Sequence, residues 1–102
     1  MAKLIATYGK PTDLAAFEAY YFNTHITLAK RIPGLRAYDV SRGPIETPAG
    51  TAAVYLIATL YFDDLAAIQA AFASPEGQAA AADLANFATG GVELLYFETQ
   101  TV

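Results

Sequence analysis

Residues 53–62 alternate strictly between apolar and more polar side chains. Side chains along a strand point to opposite faces with a period of two, so this alternation predicts a strand with one face turned to a core. The apolar face carries Val54, Leu56, Ala58, Leu60 and Phe62, and the more polar face carries Tyr55, Ile57, Thr59 and Tyr61. The fold of this chain therefore needs a sheet that is covered on one side.

Three further segments have the composition and the boundaries of strands. Gly9-Lys10-Pro11 ends the first of them, and Gly90-Gly91 precedes the last. Residues 43–50 contain two prolines and two glycines, so we expect a loop that joins the second and third strands as a long hairpin. The predicted strands are residues 4–8, 35–42, 53–62 and 92–99. In the second strand, the pattern leaves open which face is buried.

Apolar residues at three- and four-residue steps predict a long first helix, which Thr12 can cap and Pro33-Gly34 ends. His25, the sole histidine, falls on the face formed by Leu14, Phe17, Tyr21, Leu28 and Ile32.

The second half of the chain predicts two shorter helices. Asp63 or Asp64 can cap a helix over residues 65–73. Ser74 before Pro75 is an N-cap followed by an N1 proline, and it starts a further helix that runs to about Phe87.

The predicted order is β-α-β-β-α(α)-β, which is that of a ferredoxin-like α+β fold with an antiparallel four-stranded sheet and helices on one face. A chain of 102 residues has room for one domain, residues 1–102. Charged residues make up 16% of the chain, against about 25% in typical domains. Too little charge is available to cover a small isolated domain, so we expect the open sheet face to meet a second copy in a homodimer.

Several functional classes lack the residues they need. The net charge of -4 and the scattered basic residues give no stripe for nucleic acid. There is no cysteine, and a single histidine leaves little for a metal site. The longest apolar run, residues 52–60, is about half the length of a membrane helix, so we expect a soluble cytoplasmic protein without a membrane partner. Neither serine lies in a nucleophile elbow, and no glycine-rich loop precedes a helix to bind a nucleotide cofactor.

His25 is the strongest candidate for chemistry, because its side chain titrates near neutral pH and its helix face points inward. The alternative is a core histidine with a satisfied hydrogen bond. Six tyrosines can supply hydroxyls that orient a substrate: Tyr8, Tyr21, Tyr38, Tyr55, Tyr61 and Tyr96. Most of them are expected to pack in the core, and we favour Tyr21, one turn before His25, and Tyr38 as its catalytic partners.

Four further residues are predicted to bind substrate. Arg36 follows the Pro33-Gly34 turn and can hold a carboxylate through two hydrogen bonds, although a solvated strand charge is the simpler interpretation. Asp39 can orient His25 if its strand face looks at the helix. Thr59 and Tyr61 lie on the more polar face of the third strand.

The stretch 20–43, YYFNTHITLAKRIPGLRAYDVSRG, resembles the EthD family, small dimeric α+β-barrel proteins named from a bacterial ether-degradation cluster. The similarity rests on a tyrosine, the histidine, Leu-Ala, Pro-Gly-Leu and a strand that opens with arginine. Residues 55–91 and the tail VELLYFE resemble the second half and the last strand of the family. Two positions depart from the pattern: Thr27 replaces a usual proline, and Thr59 replaces an acidic residue expected in the third strand.

The resemblance implies a dimeric α/β barrel with a pocket between the sheet and the helices of each subunit. Proteins that share the barrel include cofactor-free lactone isomerases, polyketide cyclases, quinone-forming monooxygenases and haem proteins. Our first hypothesis is therefore a homodimeric enzyme of the isomerase, cyclase or lyase type, without a cofactor or a metal, that moves a proton on a hydrophobic, oxygenated small molecule. The alternatives are a non-catalytic dimer that binds a small ligand or haem, and a purely structural dimer.

Overall fold

The computed structural model describes residues 1–102 and contains one four-stranded antiparallel sheet with helices on one face. The strands are β1 (Ala2–Gly9), β2 (Ala37–Val40), β3 (Glu46–Thr47), β4 (Gly50–Thr51), β5 (Val54–Phe62) and β6 (Val92–Glu98), and the helices are α1 (Leu14–Tyr20), α2 (Ile26–Ala29), α3 (Leu65–Ala73) and α4 (Pro75–Asp83). A π-helical turn, Tyr21–His25, joins α1 to α2, and a 3-10 turn, Leu84–Asn86, follows α4. The predicted α+β, ferredoxin-like order is confirmed.

The sheet order is β2-β5-β1-β6, and every neighbouring pair is antiparallel. Alternate residues of β1, from Ala2 to Tyr8, are buried under the helices, as are Leu56, Ala58, Leu60 and Phe62 of β5. The register pairs Ile5 with Thr59 and Leu95, so these three residues share the opposite face, which no other part of the chain covers. Below we call this surface the open face.

The first helix is wound in two ways. Phe17, Tyr21, His25 and Ala29 are buried at steps of four residues. In a regular α-helix, steps of four drift by about 40° each. The π-helical turn is wider, and the backbone N–H of Ile26 bonds to the carbonyl of Tyr21, five residues earlier. This turn keeps Tyr21 and His25 on one face, and it shifts the buried position at the end of the helix from the predicted Leu28 to Ala29.

The helices in the second half lie close together because a glycine stands where they meet. Ser74 caps α4 as predicted, accepting a hydrogen bond from the Gly77 N–H, and Asp64 caps α3. A Cβ on Gly77 would lie 1.8 Å from the carbonyl oxygen of Ala71. This close approach fixes the position of α4, which carries Asp83 at its end.

Three local predictions are wrong. Asp13, and not Thr12, caps α1, since its side chain accepts from the Ala16 N–H. The segment 43–50 joins β2 and β5 as a hairpin, as predicted, but it is not a plain loop, because β3 and the first residue of β4 lie within it. The register shifts between Tyr8 and Gly9, and Tyr55 packs on the Phe17 ring of α1 instead of lying on the open face.

Candidate active site

A cavity lies between the sheet and the helices. Its volume is about 60 Å³, which is enough for several water-sized groups. No lysine, arginine, aspartate or glutamate lines it. Its polar side chains are His25 from the π-helical turn and the tyrosines Tyr8, Tyr21 and Tyr38. This cavity suits an uncharged, largely apolar molecule that carries a polar group.

His25 and Asp83 form a buried pair at this cavity. Nδ1 of His25 lies 3.0 Å from Oδ2 of Asp83, and the two residues are only 5% and 6% exposed. Oδ1 of the same carboxylate accepts two further hydrogen bonds, from the Tyr20 hydroxyl at 2.5 Å and the Asn86 amide at 2.9 Å. The Phe87 ring packs on the imidazole with centroids 4.7 Å apart. The carboxylate therefore has three donors, and the imidazole is held in one orientation.

The electrostatics give this pair one protonation state at neutral pH. Burial lowers the pKa of His25 and outweighs the opposing effect of the Asp83 hydrogen bond. Burial alone would raise the pKa of Asp83, but the bonds from Tyr20, Asn86 and His25 together lower it. The carboxylate is thus ionised and accepts only, so Nδ1 of the neutral imidazole carries the proton.

The other ring nitrogen of His25, which lines the cavity, is left without a protein partner. Nε2 of His25 bonds to no protein group, and no side-chain nitrogen or oxygen is both buried and unpaired. Nε2 therefore borders open space, with its lone pair available. A neutral imidazole oriented by a carboxylate is the arrangement of a general base.

Tyr21 packs against His25, and Tyr38 lines the same cavity. Their hydroxyls are 2.5 Å apart, which places the first helix and β2 in direct polar contact. Burial raises the pKa of both hydroxyls, so both remain protonated. The structure thus brings the three predicted catalytic residues to one cavity; their catalytic role stays a prediction.

The four predicted substrate-binding residues lie elsewhere. Arg36 is exposed and forms a two-pronged ion pair with Asp63, with distances of 3.0 and 2.7 Å. Asp39 pairs with Thr59 across β2 and β5, and its carboxylate accepts from the Tyr61 hydroxyl at 2.9 Å on the open face. The prediction that Asp39 orients His25 is wrong, because its strand position faces away from the helices.

The two departures from the family pattern also lie outside the cavity. Thr27 is exposed on α2, the short helix that directly follows the π-helical turn. Thr59 lies on the open face. Neither threonine lines the space beside His25.

Sequence reasoning missed Asp83 and did not favour Tyr8. Asp83 follows Gly77 and Ala80 at three-residue steps, so it is an acid on the buried stripe of an alanine-rich helix. An isolated carboxylate on a buried helix stripe is the sequence signal that could have identified Asp83 as a site residue. Tyr8 is the last member of the buried series in β1 and is 2% exposed, and only its hydroxyl distinguishes it from an ordinary core residue.

The fold and the cavity define a class: ferredoxin-like α+β proteins with a pocket between the sheet and its helices. The EthD domain family matches residues 10–91 of this chain. An uncharacterized 11.0 kDa protein from the thcB–thcC intergenic region of Rhodococcus erythropolis is 41% identical over 103 residues, which cover 100% of this chain and 98% of that relative. The chain belongs to the EthD family.

Solved structures agree with this assignment. An EthD family protein from Bacillus halodurans is 40% identical, with a TM-score of 0.88 over 98% of this chain and 99% of that one. SnoaB, a cofactor-independent oxygenase from Streptomyces nogalater, is 19% identical, with a TM-score of 0.65 over 99% and 94% of the two chains. The second likeness extends to the fold alone. None of the helices in this chain is long and apolar enough to cross a membrane.

Proposed function

We propose that this protein is a small homodimeric enzyme that transfers a proton on a hydrophobic, oxygenated small molecule without a cofactor, as an isomerase, cyclase or lyase does. His25 is the acid/base, and Tyr21 and Tyr38 are its hydroxyl partners. The observation that carries the proposal is the buried His25–Asp83 pair, whose free Nε2 borders an uncharged cavity. The cofactor-independent activity in the name of SnoaB is consistent with it.

The chemistry follows from the protonation states. Nε2 takes a proton from a C–H or O–H of the substrate, and the imidazolium that forms gains the full attraction of the Asp83 carboxylate 3.0 Å from Nδ1. The same proton is then returned to another atom of the substrate, so the reaction is redox-neutral. A positioned general base of this kind contributes about 10²- to 10⁴-fold in rate.

A test of the base needs no knowledge of the natural substrate. Cyclohexanone and acetophenone are incubated with the protein in D₂O, and exchange of the α-hydrogens is followed by ¹H NMR. We expect exchange with at least one ketone to be about 10²-fold faster than in buffer, and to fall to the buffer rate in His25→Gln.

Asp83→Asn supplies a second variant for this assay. An asparagine amide donates to Nδ1 and favours the tautomer with the proton on Nε2, so exchange should fall by about 10²-fold or more. Asp63→Asn makes the same chemical change at an exposed carboxylate and should keep the wild-type rate. Wild-type exchange in His25→Gln would remove the base from the proposal.

The homodimer is supported by the composition of the open face. Leu95 and Phe97 of β6 are 52% and 44% exposed in the single chain, and Leu95 pairs with Ile5 of β1 on this face. A contiguous apolar surface on a sheet is normally an interface. Two copies that meet through this face form the dimeric barrel.

Haem binding is the alternative that the site fits less well. Nε2 with a carboxylate behind it resembles a metal-ligating histidine, yet no cationic side chain lines the cavity to pair with the two carboxylates of haem. Titration of the purified protein with haem should give no shift of the Soret band. A shift that is lost in His25→Gln would favour the binding function over the catalytic one.

A further inference from the structure

The Tyr8 hydroxyl has no hydrogen-bond partner in the protein. Three other tyrosines donate to carboxylates: Tyr20 to Asp83, Tyr55 to Glu18 and Tyr61 to Asp39. Tyr8 is 2% exposed, and no side-chain oxygen is both buried and unpaired. Its hydroxyl therefore borders the cavity that it lines, like Nε2 of His25.

Tyr8 lies within the cluster of cavity tyrosines. Its ring contacts the Tyr21 ring edge to face, with centroids 5.6 Å apart. Burial raises the pKa of Tyr8, so its hydroxyl stays protonated at neutral pH and can donate a hydrogen bond. The three hydroxyls and His25 thus face one small space.

A count of the protons shows what this cluster offers. The Tyr21–Tyr38 hydrogen bond of 2.5 Å uses one of three hydroxyl protons, whichever residue donates. Two O–H donors remain, one on Tyr8 and one on the Tyr21–Tyr38 pair. Since no lysine or arginine lines the cavity, the donors are neutral. Two neutral donors aimed into an apolar site suit one oxygen atom that gains negative charge during the reaction.

We propose that Tyr8 is a catalytic residue, which with the Tyr21–Tyr38 pair forms a two-donor site for the carbonyl oxygen of an uncharged, enolisable carbonyl compound. The assignment rests on the proposed function, since it takes His25 as the base. It adds the substrate class and the group that receives the developing charge.

The step balances without any further reactant. Nε2 of His25 removes a proton from the carbon next to the carbonyl. The electron pair of that C–H bond forms the C=C bond of an enolate, and the carbonyl π pair moves onto oxygen. Tyr8 and the Tyr21–Tyr38 pair each donate a hydrogen bond to this oxygen, and the imidazolium later returns the proton to a carbon or to the oxygen.

The test uses 4-nitrophenol, whose phenolate mimics an enolate and absorbs visible light. Its ionisation is titrated free and bound to the wild type, Tyr8→Phe, His25→Gln and the control Tyr55→Phe. We expect Tyr8→Phe to raise the pKa of the bound probe by about 1 to 2 units above its value in the wild type, because a hydrogen bond to a charged oxygen is lost. Tyr55→Phe should leave the bound value unchanged, since that hydroxyl is held by Glu18 on α1.

The outcomes separate the two proposals. Tyr8→Phe removes an oxygen that bonds to no protein group, so the fold is retained. If Tyr8→Phe matches the wild type in probe ionisation and in ketone exchange while His25→Gln stops exchange, the oxygen site is wrong and the base stands. If Tyr8→Phe raises the bound pKa while His25→Gln exchanges normally, the oxygen site stands and the base is wrong. Failure of the wild type to bind the probe saturably would also overturn the oxygen site.

Discussion

At the scale of residues, the proposed chemistry depends on whether Nδ1 or Nε2 of His25 carries the ring proton. Asp83 is buried, yet three hydrogen-bond donors compensate its charge. Because a carboxylate with three donors stays ionised, it keeps the His25 proton on Nδ1 and leaves Nε2 bare toward the cavity. In the proposed reaction, Tyr20 and Asn86 act through Asp83 and are therefore positioning residues.

The lowered pKa of His25 predicts a pH dependence of stability. The unfolded histidine has a pKa of about 6.5, and the folded value lies below it. Between these values the unfolded chain binds a proton that the folded chain does not, so the free energy of unfolding falls as the pH drops below about 6.5, by at most about 1.4 kcal/mol per pH unit. It levels off below the folded pKa.

Urea unfolding at fixed protein concentration from pH 7.5 to pH 5 checks this dependence. His25 is the sole histidine, so His25→Gln should remove most of the slope in this window. A wild-type stability that rises on acidification would contradict the burial-dominated shift.

The sequence predicted part of this site. The spacing of Tyr21 and His25 on one helix, and of Tyr38 after the Pro33-Gly34 turn, was enough to bring three cavity residues together. Asp39 can orient His25 only if its strand face looks at the helix, and strand parity turns Asp39 to the open face instead. Asp83 comes from an element 58 residues away along the chain, and periodicity within one helix carries no information on which other helix packs against it.

At the scale of elements, the π-helical turn decides the geometry of the first helix. Residues at repeated four-residue steps drift by about 40° each around a regular α-helix, and a wider turn compensates for this drift. The turn therefore aims both Tyr21 and His25 at the cavity, and α1 and α2 hold it from either side. Thr27 follows this turn without a proline, so the widened turn does not depend on the proline of the family pattern.

The contact between α3 and α4 predicts a stability loss. In Gly77→Ala the new methyl group would meet the carbonyl of Ala71 at 1.8 Å, which forces α4 away from α3. We expect a loss of about 1–3 kcal/mol in urea unfolding, despite the gain of about 1 kcal/mol from replacing glycine in a helix.

Gln78→Ala, at the exposed neighbouring position, is the matched control and should change stability by less than about 0.5 kcal/mol. A Gly77→Ala protein as stable as the wild type would mean that the two helices separate without cost.

Element types followed from local patterns, and irregular features did not. Clear alternation predicts β5, composition and turn residues predict the other three main strands, and Ser74-Pro75 predicts the start of α4. The bulge that turns Tyr55 toward α1 depends on pairing with Gly9 of another strand, and the β3–β4 hairpin is too short to leave a period. The π-helical turn goes with the burial of Phe17, Tyr21, His25 and Ala29 at four-residue steps, which depends on packing against the rest of the fold and not on the local sequence.

At the scale of the whole molecule, the open face predicts the assembly. Leu95→Asp combined with Phe97→Asp places two charges where we expect a second copy to pack, so the double variant should be monomeric. Light scattering after size-exclusion chromatography should give twice the chain mass for the wild type and the chain mass for the variant.

Leu14→Asp is the control, because Leu14 is 43% exposed on α1, away from the open face. It should remain dimeric. A double variant that elutes as a dimer would place the interface elsewhere.

The most direct test of the central claim is the protonation state of His25 itself. In protein labelled with ¹⁵N-histidine, every imidazole signal comes from this residue, because the chain has one histidine. At pH 7 we predict a neutral ring with the proton on Nδ1 and none on Nε2, and a titration midpoint below about 6.5. A ring with its proton on Nε2, or an imidazolium that persists at pH 7, would contradict the assignment of His25 as the base.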